Sequence, residues 1–220
     1  MSGGHDELQG TPQPLCRSVL EDRAEEVARA LVGALLVREV AGVPVIARVV
    51  ETEAYREDDP ASHSHRRRTP RIEPMFAVPG TAYVYRSYGI HWLLNVSVEP
   101  EGNGAAVLLR AATVLTGAQA VWPRRPAARR STELLRGPAV LTAGLDVTGD
   151  EDNGRDLLLA GTRVWLARDG YRPDAAAVTA GPRVGISQAA DVPWRFCLRG
   201  AASVSRYRRS PRAPGDRMTQ

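Results

Sequence analysis

Between residues 34 and 114 the chain places five strand-length runs rich in Val, Leu, Ala and Tyr, at residues 34–40, 45–55, 82–88, 91–98 and 105–114. Turn-forming residues separate several of them: Ala41-Gly42-Val43-Pro44, Gly89 and Pro100-Glu101-Gly102-Asn103-Gly104. Helical spacing is clear once before them, over residues 21–32, where Leu20, Ala24, Val27, Ala28 and Leu31 recur and Gly33 suits the terminating position. Strands that follow one another through short turns pair with their neighbours rather than alternating with helices. The expected fold class is therefore α+β: a single domain on a mainly antiparallel curved β-sheet with peripheral helices. The second half adds a helix over residues 138–145, with Pro near its start, and strands near 162–167, 176–179, 183–186 and 194–198. Residues 56–71 read as a polar, charged loop, and loops of that length usually bind something.

The predicted organisation is one folded domain over residues 16–205, preceded by a disordered segment 1–15 and followed by a basic flexible tail 206–220. No apolar run approaches membrane-spanning length, and the first residues lack the charged and apolar regions of a signal peptide. A cytoplasmic protein with no membrane association is expected. Cys16 and Cys197 are too few for a disulfide framework or a thiolate zinc site. The net charge is +4, and all 29 basic residues are arginine. Without a lysine side chain, Schiff-base chemistry is closed to everything but the amino terminus.

Chemistry-bearing residues crowd between Val49 and Arg110. Glu51, Glu53 and Tyr55 project to one face of a strand whose apolar start predicts burial, with Thr52 and Ala54 opposite. A carboxylate in such surroundings suits a general base, and periodicity alone does not choose between Glu51 and Glu53. His63 and His65, with Asp58, Asp59 and His91, offer a rival reading as a divalent-metal site on a loop. Tyr83 and Tyr85 share a strand face, with Tyr88 at the strand end against Gly89; flat rings of this kind are platforms for a base. Two function classes stay open on these residues: a hydrolase acting on a flat base, and a non-catalytic nucleic-acid-binding module.

One family accounts for the order of these motifs. Val50-Glu51-Thr52-Glu53-Ala54-Tyr55, Asp59-Pro60-Ala61-Ser62-His63, Arg68-Thr69-Pro70-Arg71, Met75-Phe76, Pro79-Gly80-Thr81, Tyr83-Val84-Tyr85, Tyr88-Gly89, Asn95-Val96 and Val107-Leu108-Leu109-Arg110-Ala111 resemble the alkyladenine (3-methyladenine, or methylpurine) DNA glycosylases. The likeness continues through Gly137-Pro138 and Arg183-Val184-Gly185 to Phe196-Cys197-Leu198-Arg199-Gly200. The resemblance implies Glu53 as general base and Arg110 with the Val184 carbonyl as holders of the attacking water. It implies Tyr55, His63 and Tyr85 as the base sandwich, Asn95 as the discriminating amide and Tyr88 as the wedge in the DNA stack. It further implies a monomer that needs neither cofactor nor metal, works at the nucleoid, and takes double-stranded DNA containing damaged purines as its partner. Arg86, His91 and Trp92, around the wedge, and the basic run His65–Arg68 depart from the family pattern.

Overall fold

The computed structural model of the protein describes residues 4–214. Nine strands make one sheet: β1 (Gln13–Pro14), β2 (Leu35–Val40), β3 (Val43–Tyr55), β4 (Ala82–Ser87), β5 (His91–Ser97), β6 (Ala106–Thr116), β7 (Val164–Arg168), β8 (Val178–Gly181) and β9 (Arg195–Leu198). The order is β1-β7-β2-β3-β6-β5-β4, with β9 branching from β3 and β8 added to β9. Every pairing is antiparallel. The helices are short: α1 (Ala24–Leu31), α2 (Ala118–Val121), α3 (Pro138–Gly144) and α4 (Gly149–Asp152). The architecture is the expected curled antiparallel sheet with peripheral helices.

Strand β3 is the axis of the molecule. Its first half pairs with β2, and from Glu51 onward β9 replaces β2, so Glu51–Glu53 lie between β6 and β9. A segment paired on both edges and packed under α1 has no water to face, and Glu51, Thr52 and Glu53 are all fully buried. Helix α1 buries Ala24, Val27, Ala28 and Leu31 against this layer. Its first turn is capped by Glu99, whose Oε1 accepts from the Ala24 N–H at 3.0 Å, so the cap comes from a distant loop rather than from the preceding residue. The β2–β3 turn is tighter than the sequence suggested: Ala41 and Gly42, both at positive φ, suffice for it, and pairing resumes at Val43.

Three segments differ from expectation: residues 4–14, residues 183–186, and the start of the expected flexible tail, where the Arg208 carbonyl accepts from Gly185 N–H and Arg209 pairs with Asp191. Residues 4–14, expected to lack fixed structure, are bonded into the molecule. The buried Arg48 guanidinium donates to the carbonyls of His5, Glu7 and Gly33 and to both oxygens of Asp169, which uses all five of its N–H groups. Residues 1–3 and 215–220, the ends of the expected disordered segment and basic tail, lie outside the described residues. No strand forms over residues 183–186. Val184 N–H is taken by the Glu53 carboxylate and Gly185 N–H by the Arg208 carbonyl, so neither of these central donors is free for a ladder. Among the described residues no helix is long and apolar enough to cross a membrane.

Candidate active site

Of the three irregularities in the β3–β6 ladder, the two beside the acids compensate each other. Val49 pairs with Ala112 and Glu51 with Ala111, so Val50 is an extra residue on β3; Thr52 then pairs with Leu109, which leaves Arg110 as an extra residue on β6. A bulged residue escapes the strict alternation of its strand, and bulges of this kind re-aim side chains beside functional sites. Arg110 uses that freedom to reach both acids: its Nε donates to Glu51 at 2.8 Å and its Nη1 to Glu53 at 3.1 Å. Thr52 points the other way and donates to the Ala28 carbonyl of α1.

Glu53 accepts from three donors. Its Oε1 takes the Val184 N–H at 2.7 Å; its Oε2 takes the Tyr55 hydroxyl at 2.9 Å as well as Arg110. Burial, and then the neighbouring Glu53 charge, push the Tyr55 hydroxyl far above its ordinary range, so it stays protonated and remains a donor. Arg110 loses from burial, but the charges of Glu53 and Glu51 more than compensate and raise it further. Glu51 is likewise raised by burial, yet Arg110, Arg195 and the bonds from Ser205 and Arg195 outweigh this and leave it below the usual carboxylate range.

Beside Glu53 opens a cleft of about 130 Å³ walled by Tyr55, His63, Met75, Tyr83, Tyr85, Asn95 and Ile186. Tyr83 and Tyr85 stack with centroids 5.2 Å apart, and the His63 ring meets Tyr85 edge-on at 4.6 Å. His63 Nδ1 is hydrogen-bonded to the buried Tyr83 hydroxyl at 2.9 Å. Burial, then the Arg71 charge, lower the imidazole below its ordinary value, so the ring is neutral at pH 7. Burial and then Glu53 push Tyr85 up to about 12. Asn95 Nδ2 donates to the Tyr83 carbonyl at 3.0 Å, which fixes the amide while leaving its oxygen available. The loop under this wall needs a glycine at Gly104, where an added Cβ would lie 2.6 Å from the Phe76 ring.

The structure thus places Tyr55, His63, Tyr85 and Asn95 on the wall of one cleft, and Glu53, bonded to the Tyr55 hydroxyl, to Arg110 and to the Val184 N–H, directly behind Tyr55. Tyr88 stands apart at the tip of the β4–β5 hairpin, 90% exposed. Tyr88 and Gly89 both have positive φ (51° and 71°), and Ile90 N–H closes on the Ser87 carbonyl. A bulky side chain in that conformation is strained, and at this tip it gains little packing in return. Next to it, Arg86 lies over the Trp92 ring at 4.5 Å. The metal reading loses its ligands: Asp59 is paired with Arg183, Asp58 with Arg56, and His65 Nδ1 bonds the Glu57 carbonyl. Among the described residues no three His, Cys, Asp or Glu side chains converge as a metal site.

Three residues that sequence reasoning did not single out complete the site. Arg183, fully buried, pairs with Asp59, donates to the Ala54 carbonyl at 2.9 Å and lies over the Tyr55 ring at 4.8 Å. Arg195 and Ser205 bond to Glu51. The one available signal was an arginine at the head of the short apolar run Phe196-Cys197-Leu198. A larger open cleft of about 540 Å³, lined by Glu151, Asp156 and Arg163, shares no residue with this one, and those two acids pair with Arg163 and Arg17.

Residues 18–202 match the family model of methylpurine-DNA glycosylase. The chain belongs to the methylpurine-DNA glycosylase family. Among its relatives is the protein named "Putative 3-methyladenine DNA glycosylase" of Nocardia farcinica, 46% identical over 194 residues that cover 86% of this chain and 89% of that one. Proteins of the same name from Rhodococcus jostii (47% identical, 87% and 85% covered) and Mycobacterium tuberculosis (46% identical, 87% and 96% covered) are equally similar. The span shared with the methylpurine-DNA glycosylase family contains the whole cleft and ends before Ser205, the residue bonded to Glu51.

Proposed function

We propose that this protein is a monofunctional DNA glycosylase that removes alkylated or deaminated purines from double-stranded DNA and so starts base excision repair. The observation that carries the reading is Glu53: a carboxylate out of solvent, held by Val184, Tyr55 and Arg110 beside a cleft walled by flat rings. A purine seated between Tyr55 on one side and His63 and Tyr85 on the other would present its glycosidic bond toward that acid. The C1′–N bond breaks with its electron pair leaving on the purine. A water oxygen then bonds to C1′, and its proton passes to Glu53 as general base. Ordinary glycoside hydrolysis uses two carboxylates; a purine made cationic by alkylation departs without a general acid, so one suffices. A neutral lesion such as hypoxanthine needs a proton on the leaving base as well. Flipping the target costs a few kcal/mol, less for a poorly paired lesion; stacking against Tyr55 and Tyr85, and Tyr88 filling the vacated gap, offset it.

The same reading makes residues 16–205 the glycosylase domain of a cytoplasmic, nucleoid-associated monomer that works without metal or cofactor. The test is base release from duplexes carrying 3-methyladenine, 7-methylguanine, hypoxanthine or ethenoadenine, with and without excess chelator. Release of a free purine that is indifferent to chelator supports the proposal. Tight binding with no release makes the protein a nucleic-acid-binding module, and chelator-sensitive strand cutting makes it a nuclease.

A further inference from the structure

The mechanism uses one of the two buried acids, and the other is engaged more fully. Glu51 accepts from Arg110 Nε at 2.8 Å, Arg195 Nε at 2.7 Å, Ser205 N–H at 2.8 Å and Ser205 Oγ at 2.8 Å. Ser205 is gripped at every polar atom, because its carbonyl accepts from Arg195 Nη2 at 2.8 Å and its Oγ also lies 3.4 Å from Arg110 Nη2. The chain on either side is tied as well. Arg136 donates to the Val204 carbonyl, the Arg208 carbonyl accepts from Gly185 N–H at 3.1 Å, and Arg209 pairs with Asp191.

Residues 204–209 therefore form a strap. One end is seated on Glu51 and Arg110; the other holds the loop of residues 183–191. Both ends thus adjoin donors to Glu53, Arg110 through its Nη1 and the loop through Val184 N–H; the third donor, the Tyr55 hydroxyl, is not tied to the strap. Packing alone does not call for such a device, since well-fitted apolar side chains serve buried volume at least as well as an ion cluster. What the cluster adds is direction, because it ends at one side on Arg110 and at the other on the loop of Val184, and both donate to the Glu53 carboxylate.

Resting on the reading of Glu53 given above, we propose that Glu51 and Ser205 are positioning residues, which act through Arg110 and the 204–209 strap to aim the Glu53 carboxylate. The strap is then part of the machinery, although it contributes no atom to the cleft. In Glu51→Gln an amide N–H₂ takes the place of one of the carboxylate oxygens, all of whose partners are donors. In Ser205→Ala one of the four bonds to Glu51 is lost and the backbone link survives.

The experiment uses the full chain, a lesion duplex that the wild type cleaves, and the same duplex with an abasic-site analogue for binding. Single-turnover excision should fall roughly ten- to a hundredfold in Glu51→Gln, the scale of a buried hydrogen bond to a charge or of a misplaced reacting group. Ser205→Ala, which keeps the fold should Glu51→Gln lose it, should fall severalfold. Duplex affinity should stay within about twofold of wild type in every folded variant. Wild-type rates in the folded variants overturn the proposal, as does affinity falling in step with rate. No base release from the wild-type chain itself sinks the functional reading and this inference together; release by the wild type with unaffected variants sinks only the strap.

Discussion

The three donors on Glu53 are arranged so that its carboxylate has one orientation, and that is testable by the smallest possible change. Glu53→Gln keeps the volume and removes the base, so base release should fall ~10²–10⁴-fold while lesion-duplex affinity is nearly kept. Single-turnover excision beside equilibrium binding measures this, and Glu51→Gln should be the milder of the two; the reverse order would make Glu51 the base. Tyr88 presents the opposite case, a residue whose conformation works against the fold. Left-handed backbone costs an ordinary side chain roughly 1–2 kcal/mol, and Asn tolerates it better. Tyr88→Asn should therefore melt at a higher temperature than wild type, yet bind lesion-containing duplex more weakly, with little change on a lesion in single-stranded DNA. A wedge fills a hole that exists only in a stack. Equal loss on both substrates would show that Tyr88 does not act as a wedge.

Among the elements, the segment before β2 is held through a buried ion pair, Arg48–Asp169. Asp169 accepts from Arg48, from Gln9 N–H at 2.8 Å and from Tyr171 N–H at 3.2 Å, and so joins residues 4–14 to the end of β7. Burial alone would raise its pKa, but the Arg48 and backbone bonds outweigh this and lower it from 3.8 to about 2. A carboxyl depressed on folding stabilises the native state above its unfolded value, and that stabilisation is lost as pH falls from 3.8 toward 2. With allowance for solvent screening this is worth roughly 1–2 kcal/mol. Asp169→Asn should thus lower stability at pH 7 and flatten the dependence on pH between 4 and 2, read by thermal melts across that range. An unchanged acid slope would place the linkage elsewhere.

For the molecule as a whole, the absence of lysine carries a prediction about the product. Strand cleavage by lyase-type glycosylases passes through an amine Schiff base, and none of the 29 basic residues carries an alkyl amine. Excision should stop at an abasic site that breaks only on heating in alkali, and borohydride added during turnover should trap no protein–DNA adduct. An adduct formed by pure protein would make the amino terminus catalytic.

Local pattern determined much of this protein. Alternation put Glu51, Glu53 and Tyr55 on one face, and the order of turn residues made the sheet antiparallel, because both depend only on neighbours along the chain. The motif around Glu53 likewise singled that residue out for the proposed role of base. Tertiary structure decided the rest. The paired bulges that free Val50 and Arg110 arise from a mismatch between two strands more than fifty residues apart, and neither strand alone encodes it. The carboxylate cap on α1, the capture of residues 4–14 by Arg48, and the diversion of residues 183–186 from strand to ligand of Glu53 share that cause. In each, a buried donor or acceptor had to be satisfied, and the partner that did so was distant in sequence and near only in the folded chain.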